Sequence, residues 1–184
     1  GYDYYAVCDH SQRLRGGRLE QQAAAIDAIQ GELPLRILKG VEVNIRADGS
    51  LDMTDEELAT RDWVVASLHT SFDSSPTERV LAAMEHPYVD CIGHLTGRKI
   101  GRREGSRIDL DRVIAGALAT GTFLEINSQP ERLDLTDTHA RAACEAGVRV
   151  VINSDAHHTA GLDYAELGVG QARDRKSTRL NSSH

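Results

Sequence analysis

The sequence predicts an α/β fold in which parallel strands alternate with helices that cover the sheet. Six short apolar runs, rich in β-branched and aromatic residues, recur about every thirty residues. Segments with helical spacing lie between most of these runs. A histidine or an acidic residue also stands at or just past the end of five of the six runs. Parallel strands present their carboxyl ends on one side, so these polar residues are expected to gather there.

The six apolar runs are interpreted as buried strands because each is short and rich in residues that favour extended structure. Periodicity alone does not separate such a run from a helical turn, so the assignment also depends on the alternation with helices. The runs are Tyr4 to Cys8, Ile37 to Val43, Trp63 to Ala66, Val89 to Ile92, Phe123 to Ile126 and Val148 to Ile152.

The helices are predicted from apolar residues that recur on one face. Thr54 stands three residues before Glu57, which is typical of a capping box, and Pro76 and Thr136 are expected to open later helices. The predicted apolar stripes are Leu19, Ala23, Ile26 and Ile29; Val80, Leu81 and Met84; Leu110, Val113, Ile114, Ala117 and Leu118; and Ala140, Ala143 and Cys144.

Length and composition are typical of one domain, which we place at residues 1–173. No apolar stretch is long enough to span a bilayer and no signal peptide is recognisable, so the cytoplasm is the expected compartment. Cys8, Cys91 and Cys144 form no CxxC pair and are expected to be reduced thiols. Residues 174–184 lack a periodic pattern and are predicted to be a disordered or non-native tail.

The polar residues at the strand ends form a candidate metal-binding set. Mixed imidazole and carboxylate donors suit zinc, manganese or iron, whereas magnesium or calcium would take oxygen almost alone. A metal ion can lower the pKa of bound water and can stabilise a phosphoryl centre, so hydrolysis of a phosphoester is the expected reaction. The candidate ligands are His10, Glu42, His69, His94, Asp155 and His157. Six groups exceed the needs of one tetrahedral ion, so a multinuclear site is plausible.

Several segments, taken together, resemble the PHP domain, named for polymerase and histidinol phosphatase. They are CDH at 8–10, LKGVEVNIRADGSLD at 38–52, ASLHTSF at 66–72, IGHLTGR at 92–98, LEINSQPERLDL at 124–135 and INSDAHH at 152–158. The order of these phrases is most similar to the C-terminal PHP domain of bacterial family X DNA polymerases. The resemblance extends to about Arg173.

The resemblance implies a distorted (β/α)7 TIM-like barrel that holds up to three divalent metal ions, manganese or zinc. It also implies that an N-terminal strand with an HxH motif is missing from this chain. One ion would use Glu42, His69 and His94, a second would share Glu42 with Asp155, and a third would use His10 and His157. Without the HxH motif we expect one site of reasonable affinity and two weakened ones, so the fragment is expected to have reduced or no activity.

The same resemblance implies a 3′–5′ exonuclease that acts on DNA ends in repair, next to an upstream polymerase domain. Glu42, Asp155, His69 and His94 are the expected catalytic residues. The net charge of −7 opposes general attraction to a phosphate backbone. The predicted substrate-binding residues are Arg98, Lys99, Arg132 and Asn127, and the basic loop after His94 is equally well explained as a solvated surface.

Three functions stay open at the level of sequence. The first is the exonuclease domain of a family X polymerase, which the DGSLD and PERLDL phrases favour. The second is a stand-alone phosphatase of the histidinol-phosphatase type, with a small substrate. The third is an inactive PHP module that only supports a polymerase, although such a module would be expected to lose ligands that this chain keeps.

Overall fold

The sheet contains six parallel strands whose spatial order follows the order of the chain. This computed structural model describes the backbone of residues 3–180 and the side chains of residues 3–173. The strands are β1 Tyr4–His10, β2 Arg36–Asn44, β3 Trp63–Ser67, β4 Cys91–Ile92, β5 Phe123–Asn127 and β6 Val150–Asn153. Each strand pairs in parallel with the next one. No pairing joins β6 to β1 within residues 3–180, so the sheet is a curled, open half-barrel.

Helices connect the strands and cover the outer face of the sheet, as the alternating pattern predicts. They are α1 Arg18–Gln30, α2 Asp55–Leu58, α3 Pro76–Met84, α4 Leu110–Thr120, α5 Asp137–Ala146 and α6 Ala165–Leu180. The capping box of Thr54 and Glu57 is present, Pro76 opens α3, and Thr136 accepts from the backbone N–H of His139. The start signals in the sequence therefore act at the predicted positions.

Helix α6 extends into the segment that the sequence predicts to be a tail. The sequence predicts that residues 174–184 are a disordered or non-native tail, which stays a prediction; the backbone is helical as far as Leu180. Arg175, Lys176 and Arg179 have high helix propensity, which favours continuation of the helix in a segment without an apolar stripe. Residues 181–184 lie outside the described part, and the domain boundary at Arg173 stays a prediction.

The hydrophobic core lies between the sheet and the helices. Val41, Val64 and Leu124 of the strands and Val80 and Val113 of the helices are almost fully buried. Most residues of the predicted helical stripes are buried or pack against this core. Two exceptions are Ile29 and Leu118, which are 45% and 49% exposed because they lie at helix ends on the edge of their stripes.

Strand β2 approaches β1 closely on the inner face of the half-barrel. A Cβ on Gly40 would lie 2.4 Å from Sγ of Cys8 and 2.9 Å from the carbonyl oxygen of Val7, so only glycine fits there. Cys8, Cys91 and Cys144 are free thiols. Among the described residues, no helix has both the length and the apolar character needed to cross a membrane.

Candidate metal centre

Glu42 lies at the centre of a cluster of three histidines at the carboxyl ends of the strands. Its Oε1 is 3.3 Å from Nε2 of His69 and 3.1 Å from Nε2 of His94. Its Oε2 is 3.1 Å from Nδ1 of His10. The residue is only 9% exposed, so the carboxylate is surrounded by imidazole groups rather than by water.

The strand register explains why these side chains converge. His10 ends β1 and pairs directly with Glu42 of β2. His69 and His94 follow the ends of β3 and β4 by two residues each. The ring centroids of His10 and His69 are 5.4 Å apart, and those of His69 and His94 are 5.1 Å apart. Residues from four successive strand ends therefore face one point, as expected for a parallel sheet.

Burial and hydrogen bonding act in opposite directions on the charge of this cluster. Burial raises the pKa of Glu42, but hydrogen bonds from His69 and His94 outweigh it and hold the pKa well below its usual range. Burial lowers the pKa of His94, yet the hydrogen bond to Glu42 and its negative charge leave that pKa raised. Glu42 is thus an ionised buried carboxylate, which needs a nearby cation or strong donors.

The ligand atoms of His10, Glu42 and His69 all lie within 4.8 Å of one another, a spacing compatible with one metal ion. We call these three residues the compact group. The resemblance instead groups Glu42 with His69 and His94, so His10 stands in the compact group where the resemblance places His94. The reason is the β1–β2 register, which places His10 opposite Glu42. His94 still contacts Glu42, and its Nδ1 is buried with no hydrogen-bond partner among the described residues.

Asp155 and His157 lie beside this group, after β6. The ring of His157 is 5.7 Å from that of His10 between centroids, and its Nδ1 is 2.9 Å from the carbonyl oxygen of Asp155. Asn127 donates to Oδ2 of Asp155 at 3.0 Å. Asp155 has a φ of +49°, a left-handed conformation that non-glycine residues rarely adopt. The structure gives no direct contact between Asp155 and Glu42 among the described residues.

Of the predicted substrate-binding cations, the structure brings only Arg132 next to these ligands. Its Nε lies 3.8 Å from Oδ2 of Asp155, and its buried Nη1 has no hydrogen-bond partner among the described residues. Arg98 instead donates to the carbonyl oxygens of Arg132 and Leu133, at 2.6 and 2.5 Å. Lys99 pairs with Glu131 at 2.9 Å.

The basic loop after His94 is therefore largely engaged with the protein itself. Arg103 donates to the carbonyl oxygen of Gly97, and its guanidinium lies 3.9 Å from the centre of the Phe72 ring. Arg102 lies 3.8 Å from Glu131. These contacts favour the interpretation of this loop as a self-paired surface, and a phosphate-binding role for Lys99 stays a prediction.

Sequence reasoning missed Glu125 of β5. This residue is 4% exposed and accepts from the backbone N–H of His94 at 2.5 Å and from Asn153 at 2.7 Å. Burial raises its pKa to about 7, although the positive charge of His94 and the Asn153 hydrogen bond oppose that rise. The available signal was a lone acidic residue inside an apolar strand, which is costly unless it has partners.

The comparisons with known proteins agree with the fold. The chain is 47% identical over 183 residues to the DNA polymerase/3′-5′ exonuclease PolX of Bacillus subtilis, covering 94% of this chain and 32% of that protein. It is 31% identical over 169 residues to a probable phosphatase of Acetivibrio thermocellus, covering 85% of this chain and 68% of that protein. The chain belongs to the PHP family.

The PHP chain spans about a third of the length of the Bacillus subtilis relative and about two thirds of the phosphatase. A search of protein-family models gave no match. Histidinol phosphate phosphatase from Lactococcus lactis, solved with zinc, L-histidinol and phosphate, superimposes with a TM-score of 0.63. The alignment covers 94% of this chain and 83% of that protein at 16% identity, so it supports the fold alone.

Proposed function

We propose that this PHP domain is a metal-dependent phosphoesterase that removes nucleotides from the 3′ ends of DNA. The observation that carries the proposal is the buried Glu42 carboxylate of β2, which three imidazoles from the ends of β1, β3 and β4 surround. The carboxylate and the imidazoles supply oxygen and nitrogen ligands of the kind that a divalent cation needs. They lie at the carboxyl ends of the parallel strands, the side at which substrates bind in folds of this kind.

The donor set fits manganese or zinc. His10, Glu42 and His69 form the compact group, His94 adds a further imidazole against Glu42, and Asp155 and His157 complete the proposed ligands. Nδ1 of His94 is buried without a hydrogen-bond partner among the described residues, which fits a site where a bound group supplies that partner. A bound divalent cation supplies Lewis acidity, which lowers the pKa of water and neutralises phosphate charge.

The remaining residues of the site would orient the ligands and the substrate. Asn127 holds the Asp155 carboxylate, which is the best placed acid or base for proton transfer. Arg132 is partly buried and has a guanidinium nitrogen without a partner, so it would donate to a phosphate oxygen. Arg98 would act indirectly, because it holds the backbone of the loop that carries Arg132.

DNA is the preferred substrate because the Bacillus subtilis relative, at 47% identity, is named as a 3′-5′ exonuclease. An upstream polymerase domain and DNA 3′ termini are the partners we propose. The second candidate is a small phosphoester, which the phosphatases at 31–34% identity favour. The net charge of −7 also favours a small substrate over a long polyanion.

The first test is cation binding followed by hydrolysis. Isothermal titration with manganese and zinc should show binding that His69→Ala and His94→Ala remove without unfolding the protein. Labelled single-stranded DNA and p-nitrophenyl phosphate should then be compared as substrates. Arg132→Ala should raise KM, whereas Arg112→Ala, which alters an exposed ion pair with Glu78, should not.

Preferential digestion of the DNA from its 3′ end would support the exonuclease. Hydrolysis confined to the small phosphoester would favour the phosphatase. Cation binding without hydrolysis of either substrate would indicate an inactive module, and failure to bind either cation would refute the metal centre itself.

A further inference from the structure

Asp52 lies behind the proposed metal centre, at the end of the hairpin that follows β2. Its Oδ2 accepts from Nδ2 of Asn44 at 2.6 Å and from Oγ of Ser11 at 2.7 Å. Its Oδ1 accepts from the backbone N–H of Asn44 at 2.8 Å. Asn44 in turn places its Oδ1 2.6 Å from Nδ1 of His69. One carboxylate is therefore connected, through one amide, to a candidate metal ligand.

The contacts of Asp52 reach the strand ends that carry all three residues of the compact group. Ser11 directly follows His10 and is 2% exposed. Asn44 ends β2, two residues after Glu42, and also donates from Nδ2 to Oγ of Ser11 at 3.2 Å. Movement of Asp52 would thus disturb β1, β2 and the ring of His69 together.

The donors and acceptors of this chain of contacts require a hydrogen on Nδ1 of His69. An ionised carboxylate only accepts hydrogen bonds, so the amide nitrogen of Asn44 must face Asp52. The amide oxygen of Asn44 then faces His69, and Nδ1 of His69 must carry the hydrogen. Nε2 is the atom that faces Glu42, and a cation held by this group would take the Nε2 lone pair while Nδ1 keeps its hydrogen.

A tight turn delivers Asp52 to this position. Gly49 has a φ of +86°, and Asp48 accepts from the backbone N–H and the hydroxyl of Ser50. Ile45 and Leu51 then form an antiparallel bridge, which brings Asp52 back beside Asn44. The sequence predicts the Asp48–Gly49 turn but assigns it no chemical role. The turn matters because it brings Asp52 back beside Asn44 at the end of β2.

We propose that Asp52 and Asn44 are positioning residues that hold His69 as the Nδ1–H tautomer, so that Nε2 is available to bind a cation. The proposal rests on the metal centre proposed above. A histidine ligand is commonly oriented by a hydrogen bond on its other nitrogen, and loss of such a partner lowers metal affinity about 10- to 100-fold. Asp52→Ala is expected to weaken manganese and zinc binding within this range.

Exchanging the two side chains gives a sharper test. Asn44→Asp alone places two carboxylates within contact distance and should weaken cation binding as much as Asp52→Ala does. Asp52→Asn alone lets the Asn44 amide flip and present its NH2 group to His69, which favours the opposite tautomer. The double variant Asn44→Asp/Asp52→Asn restores an acceptor at position 44 and a donor at position 52. Its cation affinity should return close to that of the wild type.

The hydrogen on Nδ1 of His69 can be detected in the metal-free protein. Long-range ¹H–¹⁵N NMR spectra should show a hydrogen on Nδ1 in the wild type and the double variant. Asp52→Ala should give a mixture. Asp48→Ala is the matched control, because it removes an exposed carboxylate of the same turn that does not touch Asn44.

Asp48→Ala should keep the wild-type tautomer and cation affinity, even though the turn is weakened. An Nδ1 without a hydrogen in the wild type, or unchanged cation affinity in both Asp52→Ala and Asn44→Asp, would overturn the inference. Failure of the double variant to recover, with normal thermal stability, would also overturn it. If the wild-type protein bound no cation, the proposed function would fail, and the NMR measurement would still decide the role of Asp52.

Discussion

Replacing Glu125 with glutamine should remove a pH-dependent destabilisation that this buried carboxyl group imposes on the metal-free protein. Burial raises its pKa from an ordinary value of 4.5 to about 7. Between these two pH values the folded state binds more protons at this group than the unfolded state does. Its contribution to the free energy of unfolding therefore falls as the pH rises from 4.5, and levels off above about 7.

The magnitude follows from the size of that pKa change. At about 1.4 kcal/mol per pH unit, ionisation of Glu125 in the folded state costs about 3 kcal/mol at pH 8 relative to pH 4.5. Glutamine cannot ionise, and its amide oxygen can still accept from the backbone N–H of His94. The free energy of unfolding of Glu125→Gln relative to the wild type should therefore be about 3 kcal/mol higher at pH 8 than at pH 4.5. A loss of stability that is the same at both pH values does not change this difference.

The assay is urea unfolding of both proteins in EDTA at pH 4.5 and at pH 8. The free energy of unfolding of the wild type is subtracted from that of Glu125→Gln at each pH, and the two differences are compared. Glu131→Gln is the control, because hydrogen bonding and charge from Lys99 lower the pKa of Glu131 and give the opposite sign. If the difference between wild type and Glu125→Gln were the same at both pH values, the raised pKa of Glu125 would be refuted.

Three further predictions follow from the packing and the site. Glu42→Ala should abolish manganese binding measured by titration calorimetry, because His10, His69 and His94 all meet at this carboxylate; retained binding would contradict the site. Gly40→Ala should lower the free energy of unfolding by about 1–3 kcal/mol in urea, since its Cβ would overlap Sγ of Cys8, and an unchanged value would contradict that packing. Arg79→Ala should cost about 3 kcal/mol in thermal unfolding, because this 2% exposed side chain donates to four backbone carbonyl oxygens that would lose their partner; a stable variant would show that water replaces it.

The fold was predictable because its signals are local and repeated. Each apolar run or stripe is readable within about ten residues, and the alternation of the two patterns implies parallel strands. The element bounds were less predictable. The sequence predicts a strand from Val89 to Ile92, but β4 contains only Cys91 and Ile92, because only these two residues pair with β3. Such an end depends on the neighbouring strands rather than on the residue itself.

The convergence of the candidate ligands was also readable, because it follows from one rule about parallel strand ends. His10, Glu42, His69 and His94 lie on four successive strands, and the structure brings all four together. Asp155 and His157 lie beside them rather than within the compact group. Their assignment as ligands stays a prediction.

The supporting contacts of the site could not be predicted from the sequence, because they join residues that are distant along the chain. Glu125 reaches the backbone of His94, 31 positions away, and Arg98 reaches the backbone of Arg132, 34 positions away. Charge and spacing alone suggested that Arg98 binds phosphate. Only the three-dimensional structure shows that its donors are already directed at carbonyl oxygens.

The sequential strand order has a consequence for how occupancy of the centre and folding depend on each other. His10 comes from the first βα unit and His94 from the fourth, with Glu42 and His69 from the two units between them. The pocket therefore exists only when all four units have docked in register. An unfolded chain offers no comparable pocket. A cation that binds here would therefore draw the folding equilibrium toward the native state in proportion to its concentration, and a chelator would expose the intrinsic stability of the bare chain.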